Sequence, residues 1–343
     1  MKPPLGRALI LSLLFLFAAL ILSVAIGTVY IPPRTIAAIL ASRVGLAALH
    51  PDEAGLFTTI LLDIRLPHAV LLLLTGAALA GSGAGYQGLF RNPLADPYLI
   101  GVASGAGLGA VIAMSFRWPE DLGGLFVIPA AAFAGAALTV MLVYSLARIG
   151  KSVPTTTLIL AGVAISSFAT SLTSFLMLRS NEQLRRATGW LLGGSLMGGW
   201  EPVLALLPYV GVGLGALLAS GHVLNVLQFG EEQASQMGLP AERAKFWLVL
   251  AASLTTASAV AFSGIIGFIG LIVPHVVRLL WGADYRRLLP LSIISGGTAL
   301  LLADLLARMV LSPQVLPVGI VTALAGAPFF LWVLRRAKNQ GYW

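Results

Sequence analysis

Ten apolar runs, each close to the width of a bilayer, decide what this chain can fold into. A helix rises about 1.5 Å per residue, so about 20 apolar residues cross a hydrocarbon core roughly 30 Å thick. The runs lie near Ala8–Val29, Leu66–Tyr86, Ala95–Ser115, Gly123–Ala147, Pro154–Leu178, Pro202–Gly221, Ala244–Phe262, Gly264–Trp281, Leu288–Val310 and Val315–Leu334. Water offers no place for them: 58 % of the 343 residues are hydrophobic and 10 % charged, where a soluble domain carries roughly 25 % charged residues. In lipid, helices satisfy their own backbone polar groups, and runs of this length meet that need. The expected fold is all-α, a polytopic membrane protein of ten transmembrane helices forming one domain over residues 1–343.

The first run follows Lys2 and Arg7 but holds about 22 apolar residues, longer than the roughly 7–15 of a signal peptide, so it reads as a span. The eighth run is short, and its border with the seventh is marked by Gly264, Gly267 and Gly270. Gly193, Gly194, Gly198 and Gly199 break the chain before the sixth run, so Leu184–Leu192 reads as a separate short helix. Small residues four apart (Gly81/Gly85, Gly101/Gly105/Gly109, Gly211/Gly215) predict close helix contacts. An inverted repeat relating spans two to five with seven to ten is compatible with the span count, and its echoes are faint.

Orientation follows from Lys and Arg, which favour the cytoplasmic side. With the N-terminus inside, 13 of the 21 lie on the inner side and 8 on the outer. Both termini are then cytoplasmic. The formal charge of +8 sits in scattered loops and not along one face, which argues for topology and against nucleic acid. The chain has no Cys, hence no disulfide framework and no thiolate metal site.

One stretch departs from this pattern. Leu224–Lys245 carries Glu231, Glu232, Gln233 and Gln236 between two long apolar runs. It reads as a short helix, a bend at Gly238, and a new helix opened by Pro240. Such a polar elbow belongs in water beside the membrane. Its own charge does not choose a side, because Glu231, Glu232 and Glu242 outnumber Arg243 and Lys245. The whole-chain count puts it in the cytoplasm.

Several motifs fail in context. Gly83–Gly88 spells GxGxxG but ends an apolar span, where a dinucleotide site needs a strand before it. Gly150-Lys151-Ser152 resembles the end of a P-loop, yet Ser145 stands where the first glycine belongs. His50, His68, His222 and His275 are far apart and form no HExxH, and Ser104 is not in a GxSG, so neither a metal site nor a catalytic residue is expected. Polar residues in spans are few. Asp304 and Arg308 are four apart and can pair, while Gln87, Glu201 and His222 lie near span ends, where they can reach water. With no acid relay and no nucleotide site, the spans look like passive walls driven from outside. The competing class is an ion-coupled secondary transporter working without an ATPase, and an intramembrane enzyme is a third.

A set of blocks then resembles one family. They are Arg65-Leu66-Pro67-His68, Gln87 through Arg91-Asn92-Pro93-Leu94-Ala95-Asp96-Pro97, and Gly101–Gly107. They continue with Leu160–Val163, Gly230-Glu231-Glu232 to Gly238-Leu239, Gly267–His275, Leu302-Ala303-Asp304, and Pro317-Val318-Gly319 to Gly326-Ala327-Pro328. Over about 280 residues, in one order, the chain resembles the FecCD-type permeases, membrane subunits of ABC importers for iron–siderophores, haem and cobalamin.

The resemblance implies the type II ABC importer permease fold in the cytoplasmic (inner) membrane. It implies a second permease subunit, two ATPase subunits holding ATP and Mg, and an extracytoplasmic substrate-binding protein, with no cofactor in this chain. It places coupling helices at about 224–240, with Leu227, Gly230, Glu231, Glu232, Ala234, Met237, Gly238 and Leu239 seated in an ATPase groove. It places Arg65, His68 and Arg308 against the binding protein, although His68 stands where the family commonly has Arg. It places Thr155 and Thr156 at the cytoplasmic gate; the alternative from the residues alone is a plain helix cap.

Overall fold

The computed structural model describes residues 5–43, 45, 55–116, 118, 124–150, 152–178, 181–194 and 197–338. Lys2, Arg117, Lys151 and Arg179 of the charge count lie outside them. The described residues are helical, with one isolated β-bridge between Ile149 and Ser152. In order they form α1 (Leu5–Ala25), α2 (Pro33–Arg43) and α3 (Leu56–Thr59). A π-helical stretch, Ile60–Arg65, joins α3 to α4 (Leu66–Leu89). Next come α5 (Val102–Met114), α6 (Gly124–Leu146), α7 (Thr155–Met177), α8 (Asn181–Leu191) and α9 (Glu201–Ala219). The chain continues through α10 (Gly221–Leu227), α11 (Glu231–Gln236), α12 (Ala241–Ser263), α13 (Ile269–Trp281), α14 (Tyr285–Val310) and α15 (Val318–Lys338).

Among the described residues, seven helices are long and apolar enough to cross a membrane: α1, the α3–α4 unit, α6, α7, α9, α12 and α14. Three shorter apolar helices, α5, α13 and α15, fill the remaining positions in the expected order. The short helix expected at Leu184–Leu192 is α8. Helix α2, which turns Ile36 and Ile39 inward, was not anticipated from the sequence.

The bundle closes around α4, which is buried without a break from Thr75 to Leu89. Glycines make this approach feasible. A Cβ on Gly83 would lie 1.9 Å from the Gly270 carbonyl oxygen, and one on Gly76 would lie 2.3 Å from that of Gly296. The GxGxxG run is thus a packing face, as its context implied. Gly105 and Gly109 meet Gly135 and Ala131 equally closely. Gly211 and Gly215 are different: nothing lies within 4 Å of their Cβ positions, so the contact expected there is absent within this chain.

Two spans begin later than their hydropathy suggests. The third run opens at Ala95, but its helix starts at Val102. Asp96 caps a 3-10 turn, Pro97–Ile100, by accepting the Tyr98 N–H at 2.8 Å, and Gly101 at φ 86° ends it. The eighth run opens at Gly264, but α13 starts at Ile269, after a stretch in which Gly264 and Phe268 both have positive φ. Hydropathy counts apolar side chains and is blind to such breaks. The two irregular stretches meet in the interior. The Tyr98 hydroxyl donates to the Ile266 carbonyl at 2.9 Å and lies 3.3 Å from the Ile266 N–H, which it can accept. One phenol therefore satisfies backbone that would otherwise be costly to bury.

Candidate functional site

The elbow is three short pieces with different tasks. α10 docks on the bundle through Leu224 and Leu227, both buried. Asn225 fixes its angle: its amide donates to Asp284 Oδ1 at 2.6 Å, and its oxygen accepts the Tyr285 N–H at 2.8 Å. Asp284 Oδ1 also accepts the Arg286 N–H at 3.0 Å and so caps α14. The Asn225 hydrogen bond, helped by that N–H and by the nearby Arg286 and Arg287 charges, holds the Asp284 carboxyl below the usual carboxylate range.

Gly230, at φ 108°, turns the chain into α11, whose single buried residue is Ala234. Gly238 closes α11 at φ 86°. Its N–H reaches the Ser235 carbonyl and the Leu239 N–H reaches that of Ala234, both at 3.0 Å, a Schellman cap with Leu239 folded back on Ala234. Of the residues named for coupling, Leu227 and Ala234 face the protein, and Leu239 is partly buried. Glu232, Met237 and Gly238 face outward, and Glu231 is half-buried.

Glu231 is tied to a residue that the sequence did not single out. Lys245, the fifth residue of α12, has a side chain only 6 % exposed. Its Nζ lies 2.9 Å from Glu231 Oε2 and 2.6 Å from Glu242 Oε1, and it donates to the Val153 carbonyl at 3.0 Å. Glu242 Oε2 in turn accepts the Val153 N–H at 3.2 Å. Val153 belongs to the loop that opens α7, where Thr155 is half-buried and Thr156 exposed. Neither threonine acts as a cap, since Pro154 precedes the helix without a side-chain cap bond. Thr157 ties the loop instead, donating toward the Pro154 and Ala147 carbonyls at 2.8 and 3.0 Å. A lysine three residues after a glutamate, inside an apolar run, was the available signal for this node. Nothing in the sequence pointed to Val153.

At the opposite end, Arg65, His68, Asp304 and Arg308 come together. Asp304, 6 % exposed, accepts from Arg308 Nε at 2.8 Å and from His68 Nε2 at 3.0 Å. The pairing expected between Asp304 and Arg308 is present. Arg308 also donates to the Ile26 and Ser23 carbonyls and to Ser23 Oγ, each at 3.0 Å. Arg65 donates to Val24 at 2.7 Å, to Ala25 at 3.0 Å, and to Val29. Both guanidiniums thus cap the C-terminal end of α1, the negative end of its dipole. They turn inward, and His68, with a side chain 39 % exposed, is the member of this set that reaches the surface.

Gln87 also departs from its expected water-facing place. It is 1 % exposed, donates to the Leu271 carbonyl at 3.0 Å and accepts from Arg278 at 3.2 Å. Arg278 donates as well to the Tyr285 hydroxyl at 2.9 Å and lies over its ring. This network ties α4 and α13 to the start of α14, beside the base of the elbow. Among the described residues no cluster of His, Asp and Glu could hold a metal ion.

Residues 14–336 match the FecCD transport family. An uncharacterized ABC transporter permease of Bacillus subtilis (strain 168), YvrB, is 40 % identical over 335 residues, covering 97 % of this chain and 95 % of that protein. The cobalamin import system permease protein BtuC of Halobacterium salinarum is 48 % identical over 272 residues, 79 % of this chain and 72 % of that protein. A solved metal-chelate type ABC transporter in an inward-facing conformation superposes with a TM-score of 0.81 at 30 % identity, covering 97 % of this chain and 99 % of that one. With seven long and three shorter apolar helices among the described residues, in the order read from the sequence, and a match over residues 14–336, the chain belongs to the FecCD transport family as a multi-pass membrane permease.

Proposed function

We propose that this chain is the permease subunit of an ATP-binding-cassette importer carrying a large metal chelate, an iron–siderophore foremost, with haem and cobalamin the other candidates. The relatives' named cargo and type, cobalamin and metal-chelate, support the class. Two copies would enclose the path, two ATPase subunits with ATP and Mg would sit in the cytoplasm, and a binding protein would deliver cargo from outside. Both termini would be cytoplasmic. ATP hydrolysis belongs to the partner subunits, and this chain binds, guides and releases without covalent chemistry.

The observation that carries the reading is the elbow. α10 is pinned to the bundle while α11 buries only Ala234 and offers Glu232, Gln233 and Met237 outward. That is the form of a lever seated in a partner's groove. α7 supports a path between copies: it is the least enclosed of the seven long apolar helices among the described residues. Thr156, Ser167, Ser171 and Ser174 share its exposed side. Closure of the ATPase dimer would move the elbows, and the bundle would open toward the docked binding protein. Because Arg65 and Arg308 turn inward, docking would fall on His68 and the rim those arginines shape.

The test is co-purification in mild detergent followed by transport in proteoliposomes. The expected result is a complex with its ATPases and chelate-stimulated ATP hydrolysis, which Glu232→Lys or Gly238→Val abolishes. A permease that purifies alone and transports on an ion gradient would establish the secondary-carrier reading instead.

A further inference from the structure

Lys245 joins three segments at one nitrogen. An ammonium has three N–H donors, and here three oxygens surround it: Glu231 of α11, Glu242 of α12, and the Val153 carbonyl before α7. Glu242 holds the other side of the same residue through the Val153 N–H. Thus both backbone polar groups of Val153 are gripped by the N-terminal end of α12, and that grip continues to α11 through one ion pair. Thr155 and Thr156 lie two and three residues further along.

We infer that Lys245 is a positioning residue that relays displacement of α11 to the loop carrying the gate threonines. This rests on the elbow and gate roles proposed above. The energetics favour a relay over a staple. A buried ion pair adds little net stability over an apolar side chain of similar size, so strength alone gives no reason for a lysine here. What the ammonium supplies is directional contact to both neighbours at once. The two carboxylates are 38 % and 39 % exposed, so each can exchange the lysine for water at small cost. Lys245 itself is enclosed and cannot. A shift of α11 therefore changes which oxygens Nζ holds, and the Val153 carbonyl is one of them.

The test uses the full complex in lipid. The chain has no cysteine, so Thr156→Cys gives one thiol per permease copy, and its labelling is read on the permease separated from its partners. Its labelling by a charged maleimide is measured without nucleotide and with vanadate-trapped ATP. With Lys245 intact, the labelling rate should change by about 5-fold or more, the usual size of a coupling between sites. In Lys245→Met, with the ATPases still co-purifying, the ATP-dependent change should be lost, and Lys245→Arg should restore it. A change that persists undiminished in Lys245→Met would overturn the relay and leave the gate assignment standing. No change with Lys245 intact would overturn the gate assignment and the relay with it. If Lys245→Met fails to assemble, Glu231→Ala, with the ATPases still co-purifying, removes the α11 arm alone and is read the same way: loss supports the relay, persistence overturns it.

Discussion

The two ends of the bundle hold buried charge in opposite ways. At the elbow end one cation, Lys245, is shared by two half-exposed carboxylates and a loop carbonyl. At the opposite end one enclosed carboxylate, Asp304, is shared by Arg308 and His68, and the two arginines cap α1. The partners of Lys245 can turn to water, and Asp304 cannot. The elbow node is therefore exchangeable and the Asp304 cluster a fixed clasp. A lever is better mounted on the first kind of contact and a frame on the second.

This contrast can be broken or sharpened by substitution. The largest effect is expected from Asp304→Ala, which strands Arg308 among carbonyls. Unfolding in one fixed detergent should show a loss of about 3–5 kcal/mol, and an unchanged Tm would erase the distinction. Lys245→Met should cost under about 2 kcal/mol, because the carboxylates left behind can hydrate. Its signature should instead be less cargo moved per ATP hydrolysed. Glu231→Gln should change stability by about 0–1 kcal/mol, with transport again falling further than Tm. The smallest effect concerns Asp284 at the elbow's base. Its folded-state pKa is depressed, so its contribution is present above the unfolded pKa and lost as pH falls through the folded one. The Tm gap between the native chain and Asp284→Asn should accordingly be widest near neutral pH and close as pH drops below about 4.

Much of this arrangement was legible in the sequence. Hydropathy alone locates the spans, since twenty apolar residues have one comfortable solvent. The elbow announces itself by four Glu and Gln residues between apolar runs, and Asp304 with Arg308 by their helical spacing. The late starts of α5 and α13 were hidden, because apolar side chains look alike on helix and loop. The partners across the bundle were hidden too. Val153 is 92 residues from Lys245 and His68 is 236 from Asp304, and no local pattern reaches that far. The expectation that Arg65 and Arg308 face outward assumed an available guanidinium, and the carbonyls at the end of α1 take up both.

Tyr98 has a consequence for how the chain is made. Its hydroxyl completes a backbone break 168 residues later, at Ile266. Synthesis runs from the N-terminus, so α1 to α9 emerge before that partner exists. Until α12 and the turn after it have been made, the Tyr98 hydroxyl lacks this mate, and a lone polar group is costly to leave in hydrocarbon. The bond between the two irregular stretches can therefore form only once the chain is made through Ile266, and it joins an early part of the molecule to a late one across a phenol and a peptide.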